Sequence, residues 1–183
     1  MRQPPRSSSN FRRPLIEHVE RVQKHVRSCA GCGLCCTEAY NAQRILRIEA
    51  TDIADHLATL PARRRDALLH RVDAVIARYR LAKAPDARLY TCPFLEPDFT
   101  CALPFDVKPL ACLTFNPTTK DSCDQESKRF DHALPALEAA NRAAGNDGKL
   151  APIPVAVKAA WRARSASEPH AKKAGGPTNA SVR

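Results

Sequence analysis

The chain has 183 residues, a formal net charge of +10, eight cysteines and fifteen prolines. That length suffices for one domain with a core of its own, and no stretch is apolar for long enough to span a bilayer. The positive charge sits at the ends, residues 1–27 carrying seven Lys/Arg against two acids and residues 149–183 seven against one, which leaves a near-neutral middle with ends that could attract nucleic acid, acidic lipid or an acidic partner.

Residues 1–13 are expected to form a flexible basic N-terminus. They hold no apolar signal-peptide region, so the expected location is cytoplasmic. An organellar transit peptide is disfavoured because Pro4, Pro5 and Pro14 interrupt any long amphipathic helix there. Pro14 suits a first helical position, and Leu15, Val19, Val22 and Val26 recur at helical spacing, which predicts an amphipathic helix over residues 14–28.

That helix runs into Cys29-Ala-Gly-Cys32-Gly-Leu-Cys35-Cys36, four of the eight cysteines within eight residues. Gly31 and Gly33 permit the tight path that lets several sulfurs converge. A disulfide needs Cα atoms about 4.4 to 6.8 Å apart, which the adjacent Cys35 and Cys36 meet only by distorting the peptide between them. Thiols at this spacing suit a soft metal ion or an iron–sulfur cluster.

Arg44 to Ile48 reads as a short strand, and Thr51 with Asp52 as the start of a helix over Ile53 to Leu60, punctuated by Pro61. Leu68, Val72, Val75, Ile76 and Tyr79 then share one helical face over about five turns, with the run Arg63-Arg64-Arg65 read as a solvated helix start. Between Leu81 and Ser127 the periodicity lapses and prolines alternate with cysteines and aromatics. A loop of that length is uncommon without something to pin it. Ligation by Cys92, Cys101 and Cys112 would supply the pin, with Tyr90, Phe94, Phe99, Phe105 and Phe115 as an apolar shell. Further helices are expected from Leu134 to Ala144, ended by Gly145, and from Pro154 to about Arg164, with Val157 and Trp161 on one face. Residues 165–183 read as a disordered basic tail. The expected fold class is mainly α, a small single metal-binding domain over residues 14–164 with a loop-rich cysteine cluster and little or no sheet.

Three motifs occur in order: Cys29-x-x-Cys32-x-x-Cys35-Cys36, then Cys92-Pro93-Phe94-Leu95, then Cys101 followed by Lys108-Pro109-Leu110-Ala111-Cys112. Together they resemble the YkgJ-like CxxCxxCC cysteine-cluster family of zinc- or iron-chelating proteins, over roughly residues 25 to 120. Members typically present Arg-Pro-x-x-Cys-Arg and an aromatic. Here Lys108 stands for the first Arg and Leu113 for the second, Phe105 is the nearest aromatic in place of a Tyr, and the Cys101 to Cys112 interval is one residue longer than in members of the family. The resemblance implies metal chelation through Cys29, Cys32, Cys35, Cys36, Cys92, Cys101 and Cys112, with Cys123 outside the matched motifs as an optional eighth thiol.

Eight thiols can build two four-thiolate zinc sites, a 4Fe-4S cluster with one zinc, or a single cluster with spare thiols, and the spacing selects none of these. A bacterial ferredoxin is excluded because Cys36 follows Cys35 at once, where the x-x-x-Cys-Pro continuation belongs. His18, His25, His56, His70 and His132 lie apart from the cysteine clumps and read as surface or helix-packing imidazoles.

Two functional classes stay open. One is a metal- or cluster-bearing protein with a redox or enzyme-associated role, since a similar cysteine motif occurs in flagellin lysine N-methylases; a complete methylase is excluded by the lack of a Gly-x-Gly-x-x-Gly turn. The other is a zinc-stapled interaction module whose basic ends hold nucleic acid or a protein partner. Few aromatics accompany Arg2, Arg6, Arg12, Arg13, Lys172 and Lys173, which favours solvated tails over base stacking. No triad, carboxylate dyad or nucleophile turn marks a catalytic residue.

Overall fold

The computed structural model describes Arg13, Glu17 and residues 33–83, 88–113, 115–117, 123–125 and 127–167. The helix expected over 14–28 falls outside the described residues except at Glu17, which is helical. Arg13 is helical too, one residue before the expected start, with its Nε 3.9 Å from Glu17 Oε1 one turn on.

The strand expected over Arg44 to Ile48 stops after two residues, because a buried carboxyl group turns the chain into a helix. Strand β1 is Arg44–Ile45 and helix α1 is Arg47–Thr59. Leu46, extended at φ −77° and ψ 158°, is the N-cap, and its N–H donates to Oε2 of Glu49 at 3.0 Å. A glutamate at the third helical position reaching back to the N-cap amide is half of a capping box. The helix thus begins at Arg47 and not at Thr51, whose hydroxyl donates to the Arg47 carbonyl inside the helix.

Two distant segments are bonded to this helix start, one giving a donor and one an acceptor. Oε1 of Glu49 accepts the Leu110 N–H at 2.7 Å, and Oδ1 of Asn141 accepts the Ile48 N–H at 3.0 Å. Glu49 is 3% exposed and Asn141 0%. Amides at a helix start lack intrahelical partners and must find others when water is excluded. Here those partners tie α1 to two other parts of the chain.

After Pro61, helix α2 (Ala62–Arg78) carries the expected stripe, with Leu68 and Val72 buried and Val75, Ile76 and Tyr79 half-buried. Helix α3 is the short Leu110–Leu113. Strands β2 (Phe115–Pro117) and β3 (Cys123–Gln125) pair antiparallel. Helix α4 (Ser127–Ala143) begins well before the expected Leu134 and runs through Pro135. Its end is as expected: Gly145 at φ 78° lets its own N–H donate to Arg142 O at 2.9 Å and the Asn146 N–H donate to Asn141 O at 3.1 Å, the paired bonds of a Schellman stop. Strand β4 (Ala151–Pro152) pairs antiparallel with β1, Arg44 opposite Pro152 and Ile45 opposite Ala151.

Helix α5 (Ile153–Ser167) extends three residues past the expected Arg164, so the tail boundary at 165 is moved; residues 168–183 lie outside the described residues. It packs on both α1 and α2. Ile153, Ala156, Val157 and Ala160 face inward at i, i+3, i+4 and i+7. They meet Ile53, Leu57, Leu68 and Val72 in one apolar cluster that also takes in Cys92, Phe94 and Leu103. A second cluster joins Leu46 and Ile48 to Leu110, Leu113, Leu137 and Ala140.

The structure is mainly helical, with two two-stranded sheets among the described residues. No helix among those residues is long and apolar enough to cross a membrane.

Glu49→Gln retains the size of the side chain but turns an NH2 group toward Leu46 or Leu110, leaving one buried donor unpaired. We expect a loss of about 1 to 3 kcal/mol of stability in urea unfolding of the full chain. An unchanged midpoint would show that the two bonds are replaceable.

Candidate functional site

Five of the seven expected ligands fall on three described pieces of backbone that fold against one another. Cys35 and Cys36 end a 3-10 turn (Leu34–Cys36), Cys92 and Cys101 flank a small hairpin, and Cys112 lies in α3. Cys29 and Cys32 lie outside the described residues, and so does the side chain of Cys123.

The 3-10 turn is positioned through Gly33, at φ 56°, whose carbonyl accepts the Cys36 N–H at 2.9 Å. A Cβ on Gly33 would stand 2.9 Å from Leu95 Cδ1 and 3.0 Å from Phe99 Cβ. Glycine is therefore required both for the left-handed conformation and for the close approach of the hairpin. On its other side the turn is stitched to the hairpin by the Cys92 N–H, which donates to the Cys36 carbonyl at 2.7 Å.

Within the hairpin the Glu96 N–H donates to Thr100 O at 2.8 Å and the Ala102 N–H to Phe94 O at 2.8 Å, with Leu95 bridged to Cys101. Asp98 organises the tip by accepting the Thr100 N–H at 3.0 Å and hydroxyl at 2.6 Å. Two arginines of α2 grip the hairpin through Glu96: Arg64 Nη2 lies 2.5 Å from Oε1, and Arg71 Nη1 3.1 Å from Oε2. The arginine run read as a merely solvated helix start thus includes, at Arg64, an anchor for the segment that carries Cys101.

The aromatic shell is realised in part. Tyr90 and Phe94 are fully buried, Phe105 is half-buried, Phe99 is 51% exposed at the hairpin tip, and the Phe115 side chain lies outside the described residues. Phe99 departs from the expected shell because its φ of 62° turns the tip outward. Tyr90 does more than fill space. Its hydroxyl donates to Gln43 O at 2.5 Å and accepts the Ile153 N–H at 3.1 Å, so one ring locks the start of α5 to the segment before β1 beside the thiols. His56 is half-buried on α1 and His70 exposed on α2.

All five described cysteines are free thiols. Hydrogen bonding to Cys36, then burial, pushes Cys35 far up. Contact with Cys35 lowers Cys36, but contact with Cys92 and burial outweigh it, and Cys36 is pushed up to about 12. Burial raises Cys101, and it raises Cys112 well above the ordinary range, with the neighbouring Cys36, Cys101 and Cys35 adding to the effect on Cys112. Tyr90 is raised too, by burial first and then by Cys92.

Lys108 acts in the opposite sense on Cys35, Cys101 and Cys112. It sits half-buried on the turn before α3, with its ammonium 4.3 Å from the centre of the Phe105 ring. Sequence reasoning met Lys108 only as a substitute for an arginine. It missed Glu49 and Asn141, although a glutamate three residues after Leu46 and ahead of an apolar helix is a legible capping signal.

No group of three or more His, Cys, Asp or Glu side chains among the described residues is arranged to hold a metal ion. The donors are nonetheless all sulfur, enclosed, and accompanied by a cation, which in kind fits a thiophilic centre.

Unfolded thiols ionise near pH 9.0 while these retain their protons, so above that pH the unfolded chain binds fewer protons and is favoured. The metal-free protein should therefore lose stability as pH rises from 9.0 toward about 12. Urea midpoints measured from about pH 8 to 11 should fall less in a Cys36→Ser/Cys112→Ser double variant; parallel curves would contradict the assignment.

No family model, curated protein or solved structure matches this chain.

Proposed function

We propose that this protein binds a thiophilic metal centre, a zinc ion or an iron–sulfur cluster of the 4Fe-4S kind, through thiolates of Cys35, Cys36, Cys92, Cys101 and Cys112. The reading includes Cys29 and Cys32, on the sequence spacing alone, and accords with the resemblance to the CxxCxxCC cysteine-cluster proteins. The observation that carries it is that five free thiols stand on three backbone pieces that fold against one another, with the Cys92 amide bonded to the Cys36 carbonyl, and that the pieces bring the thiols within electrostatic reach of one another. Free thiols packed so closely repel one another once ionised. A cation of two or more charges removes that cost by replacing the protons.

A bound centre would supply either a structural cross-link, as zinc does, or electron transfer, as a cluster does. The chain's own contribution is to enclose the sulfurs, to aim α3 through the Glu49 contact at Leu110, and to bring Lys108 within electrostatic reach of the negative charge that several thiolates would create. A zinc with four thiolates carries a net charge of about −2, so one nearby ammonium is a substantial compensation in a dehydrated site.

Anaerobic purification followed by metal and sulfide analysis tests the proposal. Brown protein with iron and inorganic sulfide identifies a cluster, colourless protein with zinc a thiolate zinc site, and stoichiometric absence of both metals after reconstitution rejects the reading. Cys35→Ser and Cys112→Ser should each lower metal content and thermal stability together, whereas Cys123→Ser should do little.

Lys108→Met should weaken zinc affinity about tenfold in a chelator competition, and Lys108→Arg should restore most of it. Equal affinity in all three proteins would remove Lys108 from the site.

A further inference from the structure

The thiols are not equivalent in what they can form with one another. Adjacent Cα atoms lie about 3.8 Å apart across a trans peptide, short of the roughly 4.4 Å lower bound for an unstrained disulfide, which removes Cys35 with Cys36. Cys36 and Cys92 stand differently. The Cys92 N–H donates to the Cys36 carbonyl at 2.7 Å. Adding the standard N–Cα distance on one side and the O···Cα distance across the carbonyl on the other limits their Cα separation to about 6.6 Å, inside the range a disulfide spans. Both are free thiols.

We propose that Cys36 and Cys92 form a reversible intramolecular disulfide under a peroxide oxidant, a cross-link that joins the 3-10 turn to the hairpin when no metal holds the two sulfurs. Cys36 is half-buried and Cys92 buried, so oxidant reaches Cys36 first. The Cys36 sulfur attacks one oxygen of hydrogen peroxide, the O–O bond breaks, and a sulfenic acid and one water result. The Cys92 sulfur then attacks the Cys36 sulfur, the S–O bond breaks, and the hydroxyl leaves as a second water. Two thiols and one peroxide thus become one disulfide and two waters, the sulfurs together losing two electrons and the peroxide gaining them. Enclosure makes this a slow cross-link and not a fast sensor. The backbone stitch already holds the two Cα atoms within the range a disulfide spans, so the bridge needs no large movement of the backbone.

The test uses the full chain, reduced and kept in chelator, so its outcome does not depend on whether the protein binds metal. Hydrogen peroxide is added stepwise, remaining thiols are alkylated, and the digested protein is mapped by mass spectrometry. The first cross-linked peptide should join Cys36 to Cys92, with loss of two alkylated sites that dithiothreitol restores. Cys36→Ser and Cys92→Ser should each abolish that peptide, with circular dichroism checking that both variants are folded. The wild-type map decides the matter even if a variant fails to fold. A first bridge between any other pair, a bridge between chains, or over-oxidised Cys36 beside freely alkylated Cys92 would overturn the proposal.

Discussion

A single buried carboxyl group holds the two halves of this structure in register. Glu49 is nearly inaccessible to water, and its oxygens accept one amide from its own helix start and one from the start of α3, sixty-one residues later in the chain. Hydrogen bonds from two backbone amides offset the cost of burying such a group, and an arrangement that lost either one would leave a donor stranded. Because Cys112 lies two residues beyond Leu110, the contact that starts α1 also aims a thiol. Asn141 repeats the device from α4, so the N-terminus of α1 is the point at which three separate segments are referenced to one another.

Around that point the helices act as a scaffold and the irregular segments carry the chemistry. Helices α1, α2 and α5 bury a shared apolar stripe, and from α2 the pair Arg64 and Arg71 reaches out to Glu96 in the hairpin. The Glu96 side chain is only 15% exposed, so this ion pair is less screened than a surface pair and locates the hairpin with some rigidity. Gly33 removes the last obstacle by letting the 3-10 turn approach Leu95 and Phe99 without a side chain between them. The segment from Leu81 to Ser127, expected to need a metal as its pin, is pinned among its described residues by amides, carboxyl groups and the Tyr90 hydroxyl as well.

The thiols concentrated by this scaffold are in tension with their own chemistry. Burial and neighbouring thiols hold Cys35, Cys36, Cys101 and Cys112 protonated, and Lys108 pulls Cys35, Cys101 and Cys112 toward the anion. A group of this kind is stable as neutral thiols, as a bridge, or as thiolates around a cation, and it is costly as bare thiolates. That restricted menu is the physical basis for both readings of the site, one with a soft ion and one with an oxidant.

The sequence by itself determined the helical character of the chain and the identity of its distinctive donors. The stripe on α2, the glycine stop after α4 and the face of α5 follow from apolar spacing and terminator residues that act within a turn or two. The clustering of Cys29 to Cys36 is equally local. The start of α1 has a local signal in Glu49, three residues after Leu46, but only the tertiary structure decided that the same carboxyl group also bonds Leu110, sixty-one residues away. It alone decided that Arg64 grips a hairpin, that Phe99 is exposed, that the Cys92 amide finds the Cys36 carbonyl, and that Lys108 comes within electrostatic reach of Cys35, Cys101 and Cys112. Those are contacts between residues tens of positions apart, and local periodicity carries no information about them.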